Sequence, residues 1–248
     1  MGVNSSALSS RTTAPIAPQG ECGTGKYWLD EFRRNPSSVG NISITDARYM
    51  KCSEGWEHEF LVLTLNDKSR PSHRCYAIVE RQNPLLDDPN PPETERLRAA
   101  DNIVMYHDST FSCRPELIKT LRFLKFTDSE FTLEKLIVLA NTVSKNTPEY
   151  NTIHSQCFWY ASSIWAVVKL EFSPEETVTE LAHFQGTSRV FKVPLGHGPG
   201  VAEERSPIRI RSEYHSAWNQ FDRDIGIIRR VIIRYLVIVL RSHLLNRN

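Results

Sequence analysis

The arrangement of apolar and polar positions divides the chain into strand-like and helix-like stretches. "HEFLVLTL" (58–65) and "RCYAIVERQ" (74–82) are rich in β-branched, aromatic and aliphatic residues and are separated by the polar "NDKSRPSH". This pattern predicts two strands joined by a turn. "NIVMYHD" (102–108) and "KTLRFLKFT" (119–127) are further strand candidates. The period then changes. "TLEKLIVLANTVSKN" (132–146) places Leu133, Leu136, Ile137, Ala140 and Val143 on one helical face, and Pro148 interrupts it. A second helix is predicted over 155–169, with Cys157, Ala161, Ile164, Trp165 and Val168 on one stripe. "SRVFKV" (188–193) reads as another strand and 213–245 as a long terminal helix. Strands first and helices after predict an α+β fold: a small antiparallel sheet packed against the helix that starts near Cys157, plus the long C-terminal helix.

Composition sets the boundaries. Residues 1–25 are rich in Ser, Thr, Pro and Gly and are expected to be disordered. "PLLDDPNPPETER" (84–96) reads as an exposed acidic loop, and the Gly/Pro-rich 194–212 as a linker. The expected organisation is a disordered start (1–25), an α+β domain (26–193), the linker (194–212) and a C-terminal helical extension (213–248).

Of the 248 residues 40% are hydrophobic, enough for a substantial core, and the formal net charge of +1 predicts no strong pull toward nucleic acid or acidic lipid. Five cysteines at irregular spacing (22, 52, 75, 113, 157) include no CxxC, which argues against a disulfide framework or zinc ribbon. The first twenty residues hold no apolar core of the kind a secretory signal needs. These features point to an intracellular protein of the cytoplasm or nucleus with reduced thiols. "MGVNSS" also fits the pattern for myristoylation at Gly2, alongside the plainer reading of a Ser-rich disordered start.

Cys157 carries the candidate chemistry. Ser155 is an N-cap candidate two residues earlier, which puts Cys157 in the first helical turn, where the helix dipole favours a thiolate. The alternative is a small buried residue that packs. A nucleophilic thiol needs a base, and His58, opening the first strand, is the best placed imidazole. With the hairpin turn centred near residue 69, His58 faces the region of Glu80 and Arg81. His73 would lie by the turn, roughly 25 Å away. Glu80 is therefore the candidate to orient the ring. The backbone N–H of Cys157 and the side-chain amides of Gln156 or Asn151 are candidate oxyanion donors. The bland readings are an exposed edge histidine, a solvated strand-end glutamate, and loop or capping amides.

The stretches "WEHEFLVLTL" with His58 and "YNTIHSQCFWYA" with Cys157 resemble the circularly permuted papain-like fold shared by lecithin–retinol acyltransferase-like enzymes, bacterial cell-wall peptidase relatives and PPPDE-type deubiquitinating peptidases. The texture "HEFLVL…IVER…FTLEKLIVLA…YNTIHSQCFWYA" is also similar to fungal proteins of this kind. The resemblance spans roughly residues 55–170, with Gln156 standing where those enzymes usually have Asn. It implies thiol acyl-transfer chemistry, hydrolysis or transfer at an amide or ester, on a protein, peptide or lipid substrate.

His154 and Cys157 have a spacing that could hold a metal, with His107 and Cys113 as further soft ligands, but no second close pair accompanies them. No metal and no cofactor are expected. No Walker loop, Rossmann fingerprint, HExxH or GxSxG occurs, and basic residues do not interleave with aromatics as nucleic-acid binding would require. Along the terminal helix, Trp218, Phe221, Ile225, Ile228, Ile232, Tyr235 and Val239 form a heptad seam. From 227 onward the rest of "IIRRVIIRYLVIVLRSHLL" is also apolar except where arginines interrupt. The readings are packing on the chain's own core for 214–228, self-association or a partner's groove beyond, and weak contact with a membrane surface. Two functions follow as expectations: a thiol hydrolase or acyltransferase using Cys157, His58 and Glu80, or a non-catalytic interaction module that uses the 214–245 helix.

Overall fold

The computed structural model describes residues 21–52, 58–71, 74–82, 99–107, 118–127, 130–148, 157–186 and 206–245. In chain order the elements are β1 (Glu21–Gly23), α1 (Gly25–Arg34), β2 (Ile42–Cys52), β3 (Glu59–Asp67), β4 (Arg74–Gln82), β5 (Ala100–His107), β6 (Ile118–Lys125), α2 (Leu133–Asn146), α3 (Cys157–Phe172), β7 (Glu175–Val178) and α4 (Pro207–Leu245), with 3-10 turns at Pro36–Ser38 and Glu180–Phe184. The fold is α+β. Seven strands form one antiparallel sheet in the order β1-β5-β4-β3-β2-β6-β7.

Alternation along the central strands buries both faces. On β3, Leu61, Leu63 and Leu65 join the larger core with Ala47, Tyr49, Ala77, Val79 and Ile103, and all four helices pack there. Phe60 and Val62 face the other way, with Met50, Ile78, Val104 and Tyr106. Each Leu, Ile, Val or Phe side chain among them contributes on the order of 1.5–3 kcal/mol by leaving water. Helix α2 carries the predicted face Leu133, Leu136, Ile137, Ala140 and Val143, all buried, and Val138 and Leu139 are buried as well. It lies inside the protein with little free surface. On α3 the buried stripe is Ala161, Ile164, Trp165 and Val168, joined by Tyr160 and Val167.

Several boundaries differ from the sequence-based expectation. Residues 21–25, assigned above to a disordered start, form β1 and open α1, because Glu21 to Gly23 pair with Ile103 to Met105 and Thr24 caps the helix through the Tyr27 N–H. Trp28, Leu29 and Phe32 then turn into the core, and the Trp28 indole donates to the Ile103 carbonyl at 3.0 Å. Strand β2 had no counterpart in the apolar pattern, because Asp46, Arg48 and Lys51 break its run. Helix α4 begins at Pro207, inside the stretch read as a linker. Proline suits a first helical turn, where its missing N–H has no intrahelical partner, and Ser206 Oγ accepts from the Ile208 N–H at 3.3 Å. Ile210, Tyr214, Phe221 and Ile225 are buried in the same core as the sheet, so the first half of α4 is an integral wall of the fold. The strand expected at 188–193 lies outside the described residues.

Candidate functional site

The site forms at one end of the central hairpin. His58 stands at the start of β3, where its carbonyl accepts from the Cys52 N–H at 2.8 Å and continues the β2–β3 ladder. Its ring stacks on Phe60, with centroids 5.6 Å apart, and its side chain keeps 23% of its surface exposed. The β3–β4 register pairs Leu61 with Val79 and Leu65 with Cys75. Continued to the strand end, it sets position 58 opposite Gln82, with Glu80 the diagonal neighbour on the same face. His58 Nε2 lies 3.0 Å from Glu80 Oε2, and Gln82 Nε2 donates to the other carboxylate oxygen at 2.7 Å. Glu80 is buried, so this carboxylate is held on both sides by neighbours rather than by water.

Cys157 is the first residue of α3 and is half-buried. Its side chain hydrogen-bonds the His58 imidazole. With Nε2 engaged by Glu80, Nδ1 is the nitrogen left to face the thiol. Burial alone would push the His58 pKa down, but negative charge on Cys157, its hydrogen bond, and then the hydrogen bond and charge of Glu80 outweigh it and lift the imidazole to about 10. The arrangement therefore favours an imidazolium between a sulfur and a carboxylate.

Two buried polar clusters fix the first turn of α3. The first is Arg81, fully buried, which donates from Nε to Asp101 Oδ1 at 2.6 Å, from Nη2 to Oδ2 at 2.7 Å, and from Nη1 to Thr147 Oγ1 at 3.3 Å. Its guanidinium carbon lies 5.3 Å from the Trp159 ring centroid and 5.0 Å from that of Tyr160. A cation clamped this way ties β4 and β5 to α3 one turn from the cysteine.

The second cluster lies on β2 and β3. The Tyr49 hydroxyl donates to Glu59 Oε2 at 2.8 Å, with the Phe158 carbonyl oxygen 3.2 Å away. Lys51 Nζ donates to Glu59 Oε1 at 3.1 Å and to the Phe184 carbonyl at 2.8 Å, and the Gly186 N–H reaches the same Glu59 oxygen at 2.8 Å. Gly186 has φ +66, which suits glycine. A Cβ there would come 3.9 Å from the Phe158 ring, so this turn lies beside the start of α3. The Gln185 side chain hydrogen-bonds the Tyr49 hydroxyl, and Tyr49 in turn feels the charge of Cys157. Burial, then the Glu59 charge and hydrogen bond, raise the Tyr49 pKa well above that of a free phenol, so the hydroxyl stays protonated. Burial also raises the Glu59 pKa against the opposing effects of Lys51, Tyr49 and Gly186.

The structure thus brings Cys157, His58 and Glu80 together. Asn151 and Gln156, the expected oxyanion donors, and the cap Ser155 lie outside the described residues, as do His73, His154 and Cys113. Among the described residues no group of three or more His, Cys, Asp and Glu could hold a metal ion, and Cys22 and Cys157 are free thiols. A hollow lined by Lys145, Asn146, Arg209 and Glu213 lies between α2 and α4 and includes none of the three site residues. Tyr49, Glu59, Arg81 and Gln185 were absent from the sequence-based site. The one available signal was the alternation that buries Lys51 and Glu59, two charges on inward positions of neighbouring strands. No family profile, curated protein or solved structure matches the chain.

Proposed function

We propose that this chain is a thiol-dependent hydrolase or acyltransferase. Cys157 Sγ attacks the carbonyl carbon of an ester or amide and forms a thioester. The proton held by His58 passes to the leaving oxygen or nitrogen as its bond to carbon breaks. Water, or a second acceptor that gives its proton to His58, then releases the acyl group and restores the thiol–imidazole pair. Glu80 fixes the ring and supports its charge. The observation that carries this reading is the convergence of three groups from β3, β4 and α3, with His58 bonded to Glu80 on one side and to Cys157 on the other. The order of histidine strand, partner strand and cysteine helix is the order of the papain-like resemblance, which supports the same chemistry. The free thiols of Cys22 and Cys157 are in keeping with a reducing compartment such as the cytoplasm or nucleus.

The test uses p-nitrophenyl acetate as a minimal acyl donor. The expected result is a burst of nitrophenol equal to the enzyme concentration, an acetyl adduct mapped to Cys157, and loss of both in Cys157→Ala and His58→Ala. Acetylation spread evenly over several cysteines would overturn the proposal. A second reading, a non-catalytic interaction module, is favoured by the exposed apolar residues of α4. It predicts a Cys157 that reacts no faster than the other thiols.

A further inference from the structure

Between Ile227 and Ile238, α4 carries a run of exposed apolar side chains. Phe221 and Ile225 are buried, and Arg229 then grips the Pro36 carbonyl at 2.7 Å and the Val39 carbonyl at 3.0 Å. Past this clamp, Val231, Ile233 and Ile238 are 60%, 60% and 65% exposed, and Ile227, Leu236 and Val237 are exposed too. These residues do not form a stripe. At 100° per residue they occupy most of the circumference. The remaining sector belongs to Arg230 and Arg234, which fall about 40° apart on the same wheel. From Ile225 to Asn248 the sequence has five arginines and no Asp or Glu.

A pair of such helices would cover only the seam through Ile228, Ile232, Tyr235 and Val239, because a two-stranded contact uses two of every seven positions. Val231, Ile233, Val237 and Ile238 would stay in water on its flanks. A medium that surrounds the helix on most sides, and accepts cations along one, meets the pattern better. The apolar run 227–240 is about 21 Å long at 1.5 Å per residue, against a hydrocarbon thickness of ~30 Å. No helix among the described residues is long and apolar enough to cross a membrane. We infer that residues 227–240 of α4 insert lengthwise into the surface of an anionic phospholipid bilayer, with Arg230 and Arg234 reaching up to the phosphates. Arginine stems suit that position, since their methylenes lie in apolar surroundings while the heads stay hydrated. The charge is local, so it acts despite a net charge of +1 for the whole chain.

Flotation of the full chain with vesicles tests this. Vesicles of phosphatidylcholine with phosphatidylserine should carry the protein, at least about tenfold more tightly than phosphatidylcholine alone, a ratio that two surface arginines supply. Raised salt should weaken that preference. Ile233→Asp with Ile238→Asp should abolish flotation without changing Tm, because both side chains are exposed in the folded protein. Arg230→Gln with Arg234→Gln should erase the preference for the anionic vesicles. The inference is overturned if the protein stays at the bottom of the gradient with both vesicles, if neutral and anionic vesicles carry it equally, or if it sizes as an oligomer that the Asp variants dissolve and vesicles do not disturb.

Discussion

His58 Nε2 and Glu80 Oε2 lie 3.0 Å apart on adjacent strands, and the thiol of Cys157 reaches the same ring from the start of a helix far along the chain. The pair is mostly enclosed, with side-chain exposures of 23% for His58 and 9% for Glu80. Coulombic support is therefore less screened than at an open surface.

The His58 proton should be held to about pH 10, against the ordinary 6.5. Because the folded pKa is raised, the stabilisation is complete below pH 6.5 and is lost as pH rises through about 10. Imidazole NMR shifts followed between pH 5 and 11 should show this late titration, and Cys157→Ala and Glu80→Gln should each move it down. A His58 that titrates near 6.5 in the unmodified protein would remove Cys157 and Glu80 as its partners.

Iodoacetamide should modify Cys157 ahead of the buried Cys52, with at least a tenfold lower rate at Cys157 in His58→Ala at pH 7, since a positioned base contributes about 10²–10⁴-fold to such steps. Peptide mass mapping over time gives each rate. An unchanged rate in His58→Ala would detach the imidazole from the sulfur's reactivity.

Breaking the Arg81–Asp101 pair should be costly. Both are buried, and removing one partner leaves the other's charge without its counter-ion, an effect of about 3–5 kcal/mol. Urea unfolding of Asp101→Ala against the unmodified chain measures it. The same variant should slow Cys157 alkylation, because Arg81 underlies Trp159 and Tyr160 in the first turn of α3.

Glu59→Ala should loosen the turn that ends at Gly186, since one Glu59 oxygen accepts from both Lys51 and the Gly186 N–H. Amide exchange at Gly186 should accelerate by tenfold or more while exchange in α2 stays slow. Loss of a buried carboxylate beside an ammonium should also cost about 3 kcal/mol in global stability.

Gly25→Ala should destabilise by roughly 1–3 kcal/mol, the range for overpacking a tight contact. A Cβ at Gly25 would sit 2.8 Å from Asn141 Cβ, with Asn141 backbone atoms 3.2 Å away, where α1 crosses α2. A thermal melt decides it, and an unchanged Tm would show that the helices can separate freely.

Much of this was legible in the chain. The hairpin arithmetic that selected Glu80 over His73 needs only a turn near residue 69, and the observed register, with Leu61 opposite Val79, centres it at 70. Helices α2 and α3 announce themselves by period, because their buried positions recur every three or four residues. Strand β2 was hidden because Lys51 reads as a surface residue. It is inward and neutralised by Glu59, a partner on another strand that no local pattern reveals. The charge of Arg81 is likewise cancelled at a distance, by Asp101 on β5. The Gln185–Tyr49 contact joins distant segments through one hydroxyl and leaves no trace in spacing.

The margins of the sheet carry a consequence for the protein in a crowded solution. The outer strands, Glu21–Gly23 and Glu175–Val178, are three and four residues long, and the second opens with two glutamates. Short, charged borders offer an incoming chain little backbone to dock against. Stripping away Glu21–Gly23 would uncover Ile103–Met105 in the middle of the eight-residue β5 and lengthen the edge it offers to a neighbour, so fibre formation should begin from that side.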